Sequence, residues 1–110
     1  LIPMTRGILV TAYAALRDSS GPDEVEAAYR DAYVGEPFVH VSDRPPSTKW
    51  VAGGNHCFVH TVVDQPGRSL IAFAATDNLG KGAAGAAVQN ANVMLDVAEN
   101  AGLGIPPSFP

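Results

Sequence analysis

The run Leu70 to Ala75 is apolar and strand-like, glycines break it at 80 and 82, and the residues from Lys81 to about Glu99 then favour a helix, with alanines at 83, 84, 86 and 87. After Asn100 the chain reads Ala101-Gly102-Leu103-Gly104-Ile105-Pro106-Pro107-Ser108-Phe109-Pro110, whose prolines and glycines deny any further central strand. A strand, a helix and then no strand is the order that most limits the fold. Gly80-Lys81-Gly82-Ala83-Ala84-Gly85 spells the G-x-G-x-x-G of dinucleotide-binding loops. That fingerprint needs a parallel strand after the helix, with an acidic residue at its end to meet a ribose. The junction is still a candidate site. A helix start concentrates unpaired N–H groups and the positive end of a dipole, which suits a phosphate, a carboxylate or a cofactor amide.

The preceding residues complete an α+β pattern. Leu1 to Leu16 is rich in β-compatible residues and reads as one long strand, with Gly7 marking a bulge or a close backbone approach. Asp18 to Glu24 holds capping residues, a proline suited to the first helical position and two acids for the first turn. Val25, Ala28, Tyr29, Ala32 and Tyr33 form one helical stripe, which Gly35 and Pro37 end. Phe38 to Val41 is a short strand, and Ser42 to Thr48 is a polar, double-proline loop. Cys57–Val63 and Leu70–Ala75 are two strands joined by a turn cluster from Asp64 to Ser69, which makes an antiparallel hairpin. The predicted fold is a mostly antiparallel sheet with helices on one face.

With 110 residues the chain is at most one domain, and its opening on a strand already under way reads as a C-terminal piece of something longer. The net charge of -4 and the scattered Lys and Arg give no basic stripe for nucleic acid. No uncharged run approaches the roughly 20 apolar residues of a membrane-spanning helix. One cysteine allows no internal disulfide, and a reducing cytoplasm is the default location.

Cys57 lies between His56 and His60, but side chains alternate along a strand, so both histidines project to the face opposite the thiol. A free cysteine is most often a small buried hydrophobe. His56 and His60 are about 13 Å apart on a strand, too far for one tetrahedral ion, so no metal site is expected. Arg6 sits beside Gly7 in an apolar context, where a permanent charge needs a salt bridge or an anionic ligand. Asn78 is either a turn-former or a ligand contact.

Leu1-Ile2-Pro3-Met4-Thr5-Arg6-Gly7-Ile8-Leu9, Glu36-Pro37-Phe38-Val39, Asn55-His56-Cys57 and Asp77 through Asn92 together resemble the N-acetyl-gamma-glutamyl-phosphate reductases of arginine biosynthesis, in order and in spacing. The resemblance covers nearly the whole chain. It implies about the last third of such an enzyme. Residues 1–76 would be part of a glyceraldehyde-3-phosphate-dehydrogenase-like catalytic and dimerisation domain. Residues 77–110 would be a turn and C-terminal helix that packs back on a missing N-terminal Rossmann domain.

The family reduces an acyl phosphate with NADPH through a cysteine thioacyl intermediate. The resemblance places the nucleophilic cysteine and its histidine upstream of Leu1, so this chain would hold no catalytic residue. Asn78 would be cofactor-binding, with Gly80, Lys81 and Gly82 adjoining it, and Arg6 would border the substrate. Gly54, Gly80, Ala86 and Ala91 depart from the residues usual in the family. A homo-oligomer is implied, and the 110 residues alone would be inactive. The related aspartate-semialdehyde dehydrogenases are the alternative enzyme class, and a non-catalytic dimerisation module is the alternative outside enzymes.

Overall fold

The computed structural model describes residues 3–17, 20–64, 66 and 68–107. The predicted strand start at Leu1-Ile2, the capping residues Asp18 and Ser19, the turn residues Gln65 and Gly67, and Ser108 to Pro110 lie outside the described residues. Four strands, β1 (Ile8–Ala15), β2 (Val39–Val41), β3 (Cys57–Asp64) and β4 (Ser69–Thr76), form one sheet in the order β1-β4-β3-β2. The β3–β4 hairpin is antiparallel, with Val59 opposite Ala74, and β1 pairs antiparallel with the far side of β4. The β2–β3 pair is parallel. The connection allows this, because the chain between them is long enough to cross over, through the polar loop and a short 3-10 turn at Thr48–Trp50. The α+β, mostly antiparallel expectation holds.

Helix α1 (Pro22–Ala32) begins as its sequence dictates. Pro22 takes the first turn, and the Glu24 carboxylate accepts from the Gly21 N–H at 3.2 Å. Gly35, at φ +84°, follows its end. The helix packs against β3, and Val25 and Val59 are buried. Of the predicted stripe only Val25 is buried; Tyr29 and Tyr33 are half-buried and pair with each other at 6.3 Å.

Two predicted elements are shorter than expected. The first strand starts at Ile8, because Gly7 adopts φ +98° and the backbone of residues 5–7 is hydrogen-bonded to Asn78 instead of to the sheet. The last helix opens as a π-helical turn over Gly80–Ala84, continues as α2 (Gly85–Met94) and stops well before Glu99. Asp96 takes φ +56°, and the Asn92 amide donates to the carbonyls of Glu99 and Ala101, folding the chain back.

The buried apolar residues Val25, Phe38, Val51, Val59, Ala75 and Leu103 are few, and every residue of β1 is exposed. The molecule measures 44 × 37 × 20 Å, and its radius of gyration is 15.4 Å, against about 13 Å for a compact chain of this length. It is a slab in which, among the described residues, no strand pairs with the outer edge of β1.

Candidate functional site

The strand-to-helix junction is organised by one residue that composition and motif did not single out. Asp77 follows β4 and is completely buried. Its Oδ1 accepts from the N–H groups of Leu79 (2.9 Å) and Gly80 (2.6 Å), which caps the π-helical turn. Its Oδ2 accepts from the Gly53 N–H at 2.8 Å. The Arg6 guanidinium closes the set as a two-pronged fork, Nε to Oδ2 and Nη2 to Oδ1, each at 2.8 Å. Burial by itself would raise the carboxyl pKa. The Arg6 fork and the N–H groups of Gly53, Gly80 and Leu79 outweigh it and hold Asp77 ionised well below the usual carboxylate range.

Asn78 ties the same two segments together through the backbone. Its Oδ1 accepts from the Gly7 N–H at 2.8 Å and its Nδ2 donates to the Thr5 carbonyl at 3.3 Å. Residues 77 and 78 thus hold residues 5–7 from both sides, side chain and main chain.

The glycines of the G-x-G-x-x-G run serve packing. A Cβ on Gly80 would lie 2.3 Å from the Gly54 carbonyl oxygen, and one on Gly82 would lie 2.7 Å from the Asp77 carbonyl oxygen. A Cβ on Gly85 would meet the Asn55 Oδ1 at 2.1 Å. The expectation of unpaired N–H groups at this helix start is corrected here. Leu79 and Gly80 donate to Asp77 Oδ1, and Gly82 donates to the Asp77 carbonyl at 2.7 Å, so the chain supplies its own anion.

A cleft of about 310 Å³ opens beside the junction, lined among others by Arg6, Gly54, Asn55, Leu79, Gly80 and Leu103. Of the sequence-predicted residues, Arg6 and Gly80 border it; Asn78, Lys81 and Gly82 do not. The Lys81 ammonium turns toward α2, where it donates to Gln89 Oε1, and it stands 5.7 Å from the Phe38 ring. Gln89 passes the network on to Glu99 and also receives Asn55 Nδ2 at 3.4 Å. Asn55 is buried, and its Oδ1 has no hydrogen-bond partner among the described residues.

Cys57 is not activated. Burial pushes its thiol pKa up, against the opposing charge of Lys81. His56 turns away to His40, Nδ1 to Nε2 at 2.9 Å, and burial followed by the His40 charge lowers its pKa. His60 bonds the Ser42 carbonyl. Among the described residues no group of three or more His, Cys, Asp or Glu is placed to hold a metal ion. No helix there is long and apolar enough to cross a membrane.

Asp77, Asn55 and Gln89 are the site residues that sequence reasoning missed. Asp77 alone carried a local signal, a capping residue three positions before the glycine that opens the turn.

The family model of the semialdehyde dehydrogenase dimerisation domain matches residues 1–78. The chain belongs to this family. Asp77 and Asn78 are therefore the last two residues matched to the semialdehyde dehydrogenase dimerisation domain, and the π-helical turn and α2 lie beyond the match. The chain is similar to proteins named N-acetyl-gamma-glutamyl-phosphate reductase. One from Dehalococcoides mccartyi (strain BAV1) is 52% identical over 103 residues, 94% of this chain and 30% of that protein. One from Bradyrhizobium sp. (strain ORS 278) is 51% identical over 110 residues, 100% of this chain and 33% of that protein. A third, from Pelotomaculum thermopropionicum, is 46% identical over 112 residues. The chain spans about a third of the length of the curated relatives it matches, and it corresponds to their C-terminal part.

Proposed function

We propose that this chain is the C-terminal third of an NADPH-dependent N-acetyl-gamma-glutamyl-phosphate reductase of arginine biosynthesis. The observation that carries the proposal is the 51% identity, across all 110 residues, to a protein of that name. The division proposed is residues 1–76 for the catalytic and dimerisation domain and residues 77–110 for the segment that returns to an N-terminal nucleotide domain. The enzyme would work as a homo-oligomer in the cytoplasm, and the description of the matched family as a dimerisation domain supports the assembly.

The chemistry assigned to the whole protein is reduction of an acyl phosphate to an aldehyde. A thiolate outside this chain displaces phosphate to give a thioester. The nicotinamide, when bound, supplies the hydride that converts the thioester carbon to the aldehyde and returns the thiolate. This chain's residues line the far wall. Asn78 keeps one N–H and one acceptor lone pair beyond its bonds to Thr5 and Gly7, the complement that a nicotinamide carboxamide needs. Gly80, Lys81 and Gly82 flank that contact. Arg6 keeps Nη1 free of Asp77, and its side chain is 40% exposed, which suits a carboxylate or phosphate oxygen of the substrate.

The test is kinetic. In the intact enzyme, Asn78→Ala should raise KM for NADPH, and Arg6→Ala should raise KM for the acyl phosphate, each by about 10-fold or more. Unchanged constants in both variants would remove these roles. The purified 110-residue piece should show no turnover, and turnover there would overturn the assignment of the nucleophile elsewhere.

A second reading, a non-catalytic assembly module when isolated, is favoured by the exposure of all eight residues of β1. Sedimentation of the piece distinguishes it: a stable dimer without NADPH affinity supports the module.

A further inference from the structure

Asp77 is a charged group with no access to water, a costly arrangement that persists only where every oxygen is partnered. Its partners are Arg6 and Gly53, from two segments remote in sequence, and the adjoining N–H groups of Leu79 and Gly80. The fork to Arg6 uses Nε and Nη2, which fixes the plane of the guanidinium. Among the described residues Nη1 makes no hydrogen bond. The loop beneath cannot drift, because Asn78 grips the backbone on either side of Arg6. A Cβ on Gly7 would already lie 2.6 Å from Thr48 Cβ.

We propose that Asp77 is a positioning residue for substrate binding: it orients Arg6 so that the Nη1 edge is presented to the anionic group of the acyl-phosphate substrate. This inference rests on the reading of Arg6 as substrate-facing. The Arg6–Asp77 pair carries no net charge, so Arg6 acts there as an aimed hydrogen-bond donor instead of a free cation. A donor held in a fixed plane recognises the geometry of a carboxylate or phosphate, and misaiming it by about 1 Å costs on the order of 100-fold.

The test is a double-mutant cycle in the intact enzyme with Arg6→Gln, Asp77→Asn and the pair. Asp77→Asn should lower kcat/KM for the acyl phosphate by about 100-fold, mainly through KM. The double variant should be no worse than Arg6→Gln alone, within about twofold. Losses that multiply would show that Asp77 acts independently of Arg6 and would overturn the proposal. An Arg6→Gln enzyme with unchanged acyl-phosphate kinetics would instead sink the substrate-facing reading itself. A measurement on the unmodified protein covers the case in which Asp77→Asn does not fold. The Arg6 Nε–H should give a slowly exchanging NMR resonance, and a fast-exchanging signal like that of a free arginine would overturn the positioning role.

Discussion

Asp77 shows how much of the junction rests on one carboxylate. Its folded-state pKa lies below the ordinary 3.8, so between those two values the unfolded chain binds more protons than the folded one. The stabilisation is therefore complete above about pH 4 and is lost as the pH falls through the depressed value. Urea unfolding of the protein should show this acid slope. Asp77→Ala should remove it and cost about 3 kcal/mol at neutral pH, since the N–H groups of Gly53, Leu79 and Gly80 lose their acceptor. His56 has the same sign at a higher pH. Its folded pKa is held below 6.5, so its contribution is present above 6.5 and fades as the pH drops below it. The thermal midpoint should fall between about pH 7 and pH 5, and His56→Gln should flatten that fall. At this scale little was legible in the sequence. Arg6 announced that it needed an anion, but the anion lay 71 residues away, and spacing along a chain says nothing about that distance.

The strands and helices were far more legible, because periodicity and turn chemistry are local. The alternation in β3 and β4 and the turn cluster between them gave the hairpin, and Pro22 with Asp23 and Glu24 gave the start of α1. The boundaries failed where a distant group intervened: Asn78 takes the backbone of residues 5–7 out of β1, and Asn92 turns the chain after Met94. The π-helical turn also follows from contact instead of propensity. Gly80 abuts the Gly54 carbonyl, so Gly80→Ala should cost about 2 kcal/mol or more, although alanine is the better helix former. Chemical denaturation of that variant checks the claim, and a stability gain would mean that the turn relaxes freely.

At the scale of the whole molecule, the first strand stands out as uncovered. Leu9, Thr11 and Tyr13 alternate onto one side of β1 with Leu9 at 52% and Tyr13 at 74% exposure, and nothing among the described residues covers them. Paired substitutions Leu9→Lys and Tyr13→Lys should shift the intact protein toward a monomer in analytical ultracentrifugation. Retained assembly would place the subunit contact elsewhere. The α+β class was readable from the sequence, whereas the bare edge was not, because a strand's neighbours are set by topology. That topology also sets an order of events during synthesis. Among the described residues β1 is hydrogen-bonded into the sheet only by β4, whose first residue is Ser69. A nascent chain emerging from the ribosome therefore carries β1 without this partner until β4 has been made, and that interval is where a chaperone would have the most to protect.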